Sequence, residues 1–218
     1  HPVVSKYIKQ DYCYLKSGTI TINTGENIVL EATTFSDKNI VISSGAQLTI
    51  KCYLSMPENG IIQVHPGARL IVDGGTITNE CGKMWEGIQV WGNSSQPQPT
   101  NPNAANNPHG FVKLTNGATI SNAKTGITTI KKTASGDNDW GGYTGGIIQA
   151  NNAKFINNQR DVEFMSYGYP TKSFFIRCEF LTTKAINLLP HVTIWEMDNV
   201  IFSGCTFKNS VPQLTSGT

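Results

Sequence analysis

Charged residues are scarce in this sequence, and the few present are scattered. Asp, Glu, Lys and Arg make up 15% of the 218 residues, the formal net charge is +2, and there is neither a basic run nor an acidic tail. Proteins that bind nucleic acid need clustered cations to neutralise phosphates. The composition therefore argues against a nucleic-acid partner.

Long apolar runs are also missing. No stretch reaches the ~18–20 apolar residues that a membrane-spanning helix needs, and no signal-peptide pattern is visible. The chain starts at His1 and stops at Thr218 without an obvious cap. We interpret it as a mature or excised part of a longer exported chain, for which a missing signal says nothing against secretion.

Motifs of the common catalytic and metal sites do not occur. The five cysteines include no CxxC pair, which argues against a zinc site, and an odd, sparse set is not typical of a disulfide framework. There is no nucleophile elbow, no HExxH and no phosphate-binding loop. None of the four histidines has a Ser, Cys or Asp partner at a meaningful spacing. Motifs alone therefore assign no reaction.

The sequence does contain an irregular repeat, seen most clearly in Ala118-Thr119-Ile120-Ser121-Asn122. Each unit reads small, polar, large apolar, variable, then Asn or Thr. The pattern recurs at 75–79, 153–157, 178–182 and 205–209. Alternation with period two predicts a strand with one buried face, and recurrence every few tens of residues predicts stacked coils.

Two further families of short apolar strands cycle with this one in a fixed order. One includes Ile61–Val64 and, near the C-terminus, Ala185–Leu188; the other includes Arg69–Val72. We predict an all-β domain over 18–218, a right-handed parallel β-helix with three strands per coil. Residues 1–17 lack the repeat and are predicted to be a lead-in or cap.

The repeat also predicts columns of equivalent side chains running through the stacked coils. One column is apolar: Ile77, Ile120, Phe155, Phe180 and Phe207. The small positions include Cys178 and Cys205 in adjacent coils, about 4.8 Å apart; they are either bridged or, as their parallel Cβ vectors favour, two free buried thiols. The residues that end the strands predict an inward ladder of amides: Asn79, Asn122, Asn157 and Asn209.

Long junctions fall on one edge of the predicted coil, and function is expected there. These junctions are 93–110, 131–146, 165–173 and 189–198. We assign a binding role on this edge to seven residues: Trp91, His109, Trp140, Tyr143, Tyr167, Tyr169 and Trp195. Their rings could stack on a polysaccharide or a surface protein; the alternative is that they cover small cores of the loops themselves.

Charged candidates for chemistry are few. Asp161 and Glu163 flank Val162 on one strand, about 7 Å apart, with Arg160 beside them; they are a candidate catalytic pair or a solvated face with a salt bridge. Asp137 and Asp139 lie in a Gly-rich loop that could hold Ca²⁺ or be a plain surface turn. We expect no other cofactor.

Four segments carry a resemblance to known proteins: 81–92, 118–123, 145–148 and 155–162. From about residue 40 onward the chain resembles secreted β-helix proteins of Bacteroidetes, within the pectin lyase-like superfamily. That resemblance implies an exported or surface-anchored module of a longer protein, with type IX secretion as its route. The superfamily includes lyases, hydrolases, adhesins and stalks, so it does not choose among them.

Outward strand positions favour a scaffold over an enzyme because they are mostly uncharged or isolated: Thr49, Gln63, Gln89, Lys113, Thr128 and Gln149. We therefore expect a non-catalytic secreted or cell-surface module, adhesin-like, that binds a glycan or protein through its loop edge. The alternative is a carbohydrate-active enzyme, a Ca²⁺-dependent polyuronate lyase.

Overall fold

The computed structural model describes residues 16–212, which form a right-handed parallel β-helix. Three parallel sheets of seven strands each, A, B and C, run along the coil axis. Each strand between the two end coils pairs with its equivalents in the coils before and after it. The predicted fold class is confirmed, whereas the predicted N-terminal segment lies almost wholly outside the described residues.

The strand bounds show how the chain visits the sheets in turn. Sheet A contains β1 (Thr19–Ile22), β4 (Asn39–Ile42), β7 (Ile61–Val64), β10 (Trp85–Val90), β13 (Ala123–Thr128), β16 (Arg160–Phe164) and β19 (Val192–Ile194). Sheet B contains β2 (Asn27–Leu30), β5 (Gln47–Ile50), β8 (Arg69–Asp73), β11 (Phe111–Thr115), β14 (Ile147–Asn151), β17 (Phe174–Ile176) and β20 (Ile201–Ser203). Sheet C contains β3 (Thr34–Phe35), β6 (Tyr53–Ser55), β9 (Thr76–Thr78), β12 (Thr119–Ser121), β15 (Lys154–Ile156), β18 (Glu179–Thr182) and β21 (Thr206–Asn209).

The predicted apolar column on sheet C is confirmed. Ile120 pairs with Ile77 on one side and Phe155 on the other, and Phe155 pairs with Phe180, which pairs with Phe207. The rings of Phe155 and Phe180 stack at 4.9 Å, and those of Phe180 and Phe207 at 4.5 Å. Parallel strands in register place identical positions directly above one another, so apolar positions of the repeat become one continuous core.

The predicted ladder of inward Asn amides is wrong. Asn122 and Asn157 have positive φ angles of 57° and 56°, which is the left-handed conformation that Asn tolerates at corners. The amide of Asn122 donates to Thr78, and that of Asn157 donates to Thr183. The amide of Asn79 is buried but donates to the Met56 carbonyl. These amides hold corners together across coils instead of pairing with one another.

One strand near the C-terminus was also placed wrongly. Ala185–Leu188 is not a strand; sheet A continues with β19, and the preceding residues 183–191 form a long junction from sheet C. Pro190 has no N–H to contribute to a ladder, and pairing resumes at His191, whose carbonyl accepts from the N–H groups of Asp161 and Val162. The sheet A-to-B junction in this coil is 195–200.

The other long junctions lie between sheets A and B, as predicted. They span 91–110, 129–146 and 165–173, and their common edge is called the loop edge below. Within residues 16–212, no helix is long and apolar enough to cross a membrane.

The described cysteines include both free thiols and one disulfide-bonded residue. Cys52, Cys178 and Cys205 carry free thiols, which settles the alternative left open for the adjacent pair in favour of thiols. Cys81 is disulfide-bonded, a pairing that sequence spacing did not indicate, and Cys13 lies outside the described residues. Burial raises the pKa of the Cys178 thiol to about 11.

Iodoacetamide at pH 8 is expected to alkylate Cys205 and to leave Cys178 unmodified in the native protein. Cys178 is 1% exposed, and with a pKa of about 11 roughly one thiol in a thousand is ionised at pH 8, so the reactive thiolate is rare as well as buried. Peptide mass spectrometry after labelling checks this. In urea without reductant both thiols should react; if neither does, they are bridged and the assignment is wrong.

Candidate functional site

A groove of about 740 Å³ runs over the outer face of sheet A. Its floor follows one outward column, in which Gln63 pairs with Gln89 and Gln89 with Thr128. The full lining, called the sheet A groove below, is Lys16, Asn39, Asn59, Ile61, Gln63, Glu86, Ile88, Gln89, Lys124, Thr125, Thr128, Lys132, Thr133, Ala134, Ser135 and Gly136. Amide and hydroxyl groups thus lie one strand spacing apart along its length.

A bulge between β10 and β13 shapes the floor. The register shifts by one residue between Gly87 and Ile88, and Gly87 has a φ angle of 109°. A Cβ atom at this position would lie 1.6 Å from the carbonyl oxygen of Thr125. Only glycine fits, because both the backbone conformation and the contact exclude a side chain.

Two walls of different construction flank this floor. On one side the Lys124 ammonium lies 2.6 Å from the Glu86 carboxylate, with both side chains partly exposed. On the other side is the hairpin 131–139, in which Lys132 and Asn138 form an antiparallel bridge. Gln89 connects this hairpin to the floor because its side-chain oxygen accepts from the Lys132 N–H at 3.2 Å.

Positive charge exceeds negative charge in the groove lining. Three lysines, Lys16, Lys124 and Lys132, line it together with one acid, Glu86. Lys124 pairs with Glu86 and Lys132 with Glu163, but a concave surface with an excess of one sign of charge in its lining still attracts ligands of the opposite sign. The sheet A groove is therefore suited to an anionic ligand that also offers hydrogen-bonding groups.

The candidate catalytic carboxylates do not form a solvated face. Asp161 is 1% exposed and accepts from Asn158 at 2.7 Å, while its other oxygen meets the His191 ring. Burial raises the pKa of Asp161 above its ordinary value, although His191 and Asn158 both act to lower it. The alternation of residues around Val162 predicted that the Asp161 side chain points away from the core. It did not predict that the segment 183–191 would pack over that side chain.

The Glu163 carboxylate is also bound by other side chains of the protein. Its carboxylate contacts Arg160, lies 3.0 Å from the Lys132 ammonium and accepts from the Thr128 hydroxyl at 2.9 Å. The neighbouring acid Asp161 has different partners, so the two carboxylates bind separate groups. The two carboxylates are therefore not arranged as the acid and base of a glycoside hydrolase, which face one shared substrate.

Three of the seven predicted binding residues are buried under the loop edge. Trp91 stacks on His65 with ring centres 4.2 Å apart and packs against Tyr143. His109 is fully buried beside Tyr167, whose hydroxyl donates to the Gln96 carbonyl at 2.5 Å. Trp91, His109 and Tyr167 thus cover the cores of the loops, the alternative considered from the sequence.

The remaining rings reach solvent to different degrees. Trp140 is 62% and Trp195 56% exposed, Tyr169 is 37% exposed, and Tyr143 is half-buried under the Lys131 ammonium, which lies 4.4 Å from its ring centre. Trp140 directly follows the hairpin that forms one wall of the groove, so the exposed rings and the groove share this loop.

His109 acts as a structural residue within junction 91–110. Its Nδ1 accepts from the Asn93 N–H at 3.2 Å, and burial lowers the pKa of its ring below the ordinary value. Gln98 links the same junction to the next two: it donates to the Gly145 carbonyl at 2.8 Å and accepts from the Lys172 N–H at 2.6 Å. The long loops are therefore tied to one another.

The two acids of the candidate Ca²⁺ loop already have partners. Asp139 lies 2.9 Å from the Lys131 ammonium, which lowers the pKa of that carboxyl, and accepts from the Gly141 N–H. Asp137 accepts from the Ser135 hydroxyl. A cation there would have to displace Lys131, and residues 16–212 include no group of three His, Cys, Asp or Glu side chains placed to hold a metal ion.

Sequence reasoning missed the charged members of the groove: Lys16, Glu86, Lys124 and Lys132. Strand parity had marked Gln63, Gln89 and Thr128 as outward, but nothing local placed them beside lysines of later coils. The one available signal was Lys131-Lys132, two adjacent cations at the base of a long junction.

Comparisons with protein-family models, with curated proteins and with solved structures gave no match for this chain.

Proposed function

We propose that this chain is a rigid, non-catalytic scaffold that binds an extended acidic glycan in the sheet A groove. The observation that carries the proposal is the groove itself, with its partly exposed amide and hydroxyl side chains and its excess of lysine over acid in the lining. The binding surface lies on sheet A beside the hairpin 131–139, closer to the strands than the loop edge expected from the sequence.

The spacing of the polar groups favours a linear polymer over a small molecule. The groove crosses successive coils of sheet A, about 4.8 Å apart, and its partly exposed polar side chains Asn39, Gln63 and Thr125 can hydrogen-bond to a chain lying along the axis. Lysine ammonium groups supply attraction for carboxylates or sulfates at modest energy each. Trp140, on the loop of the groove wall, offers an exposed ring for a sugar face.

We also propose that this scaffold acts outside the cytoplasm. Disulfides persist in oxidising compartments, and the disulfide bond of Cys81 supports such a location. The resemblance to secreted and surface-anchored β-helix proteins of Bacteroidetes supports the same assignment. A surface scaffold of this kind would be one module of a longer adhesin-like protein.

Titration with polygalacturonate tests the proposal and is expected to show binding that weakens as salt is added. Lys124→Ala should weaken the affinity by roughly three- to five-fold, the size of one partly exposed charge interaction. Isothermal titration calorimetry at two salt concentrations measures both effects, with dextran as a neutral glycan for comparison.

Lys154→Ala is a matched control for that measurement. Lys154 pairs with Glu179 at 3.5 Å, and its side chain is 45% exposed against 44% for Lys124, but it lies on sheet C away from the groove. Equal effects of the two substitutions, or no binding by the wild type, would contradict the proposal. Release of unsaturated uronate products during the titration would instead identify a polyuronate lyase.

A further inference from the structure

The hairpin 131–139 holds one pair of side chains unusually well for a reaction between them. Its backbone hydrogen bonds run from Thr133 N–H to the Asp137 carbonyl at 2.8 Å and from Asp139 N–H to the Lys131 carbonyl at 2.9 Å. Lys132 and Asn138 face each other between these bonds. Such a non-hydrogen-bonded pair brings its two side chains closer than a hydrogen-bonded pair does.

An amine, a carboxamide and a carboxylate meet at this pair. The Lys132 Nζ contacts the Asn138 side-chain oxygen and lies 3.0 Å from the Glu163 carboxylate. The Glu163 side chain is 7% exposed and the Lys132 side chain 22%. Arg160 and Thr128 hold the carboxylate in place from other directions.

We propose that Lys132 and Asn138 form an intramolecular isopeptide bond, with Glu163 moving the protons. The Glu163 carboxylate takes a proton from the Lys132 ammonium, and the neutral Nζ attacks the Asn138 Cγ. Glu163 then passes that proton to Nδ2, takes up the second proton that the attacking Nζ must lose, and gives it to the departing nitrogen, which leaves as ammonium. The Nζ–Cγ bond forms, the Cγ–Nδ2 bond breaks, and nothing is oxidised or reduced.

Two features favour this step over a simple hydrogen bond. The hairpin holds the amine against its target, which replaces a bimolecular encounter by an intramolecular one. The wall faces the open sheet A groove, so released ammonium diffuses into solvent and the reverse reaction has no partner. The bond would close the hairpin covalently and hold one wall of the groove rigid. It would also remove the charge of Lys132, leaving Lys16 and Lys124 as the lysine ammonium groups of the groove lining.

Intact-mass spectrometry of the reduced full chain tests the proposal. The wild type is expected to weigh about 17 Da less than its sequence, the mass of one ammonia. Lys132→Arg should restore the full mass, as should Asn138→Ala. Lys131→Arg is the matched control: Lys131 is the adjacent lysine but pairs with Asp139, so this variant should keep the loss.

Lys132→Arg also distinguishes the crosslink from a second reaction that would lower the mass by one ammonia. Asn138 could lose ammonia by cyclising on its own backbone, and that loss would persist when Lys132 is arginine. Tryptic digestion gives a second readout, because a crosslinked Lys132 is not cleaved and the peptide 132–154 stays whole.

Glu163→Gln tests the proton transfer and should leave most of the chain at full mass, with circular dichroism confirming that it folds. A wild type at full sequence mass, or a mass loss that survives Lys132→Arg, overturns the proposal.

Discussion

Phe155→Ala is expected to lower the free energy of unfolding by about 3–5 kcal/mol, the usual cost of deleting a large buried ring. Phe155 is fully buried, stacks on Phe180 and packs against Phe175 at 6.0 Å between ring centres. Coils above and below are held at the strand spacing, so the cavity cannot close by local collapse. Urea denaturation followed by circular dichroism measures the change.

Phe207→Ala is the control on the same aromatic column. Phe207 stacks on Phe180 as Phe155 does, but it lies in the last coil of the described residues and is 49% exposed. Half the burial should give a loss of less than about 2 kcal/mol. A loss as large as that of Phe155→Ala would mean that ring stacking, rather than burial within the column, supplies the stability.

Gly87→Ala is expected to cost several kcal/mol, about 3 or more, because neither the backbone angle nor the space admits a side chain. The added Cβ would meet the Thr125 oxygen at 1.6 Å, and that atom is backbone, which cannot rotate away. Separating β10 from β13 would also break the floor of the sheet A groove. The same urea titration measures the stability, and polygalacturonate binding reports on the groove.

Gly117→Ala is the control that separates the two costs at Gly87, the backbone strain of a positive φ angle and the steric contact with the Thr125 oxygen. Gly117 has a φ angle of 80°, also in the left-handed region, but an added Cβ would meet nothing within 4 Å. Its cost should be about 1 kcal/mol, the ordinary penalty for a non-glycine residue in that region. If the two substitutions cost the same, the close approach at Gly87 is not what holds the bulge in place.

Most of the fold was predictable because its signal is short-range and repeated. Alternation around Ile120 marks one strand, and the same alternation around Phe155 and Phe180 sets the register between coils. One strand was misplaced where this signal was weak: Ala185–Leu188 has the right composition for a strand, but Pro190 delays the ladder until Val192–Ile194. The two-residue strand Thr34–Phe35 was not predicted. Junctions 93–110, 131–146 and 165–173 followed directly from the correct register.

The candidate site was less predictable because burial is not local. Parity set Asp161 and Glu163 on one side of β16, yet their exposure depends on His191, Lys132 and Arg160. Trp91 belongs to a loop that the sequence marks as exposed, but His65 and Tyr143 enclose it. Long loops pack against neighbouring loops, and the contacts they make depend on residues far away in sequence, which local patterns do not predict.

By itself the sequence determined the period of the strands, the order of the three sheets and the edge on which the loops are long, because each of these depends on residues a few positions apart. The tertiary structure alone decided which polar groups meet. Lys124 reaches Glu86 across 38 positions, and Lys132 reaches Glu163 across 31. Those contacts exist only when coils of different length stack in register, since the length of each junction determines which residues of successive coils are neighbours.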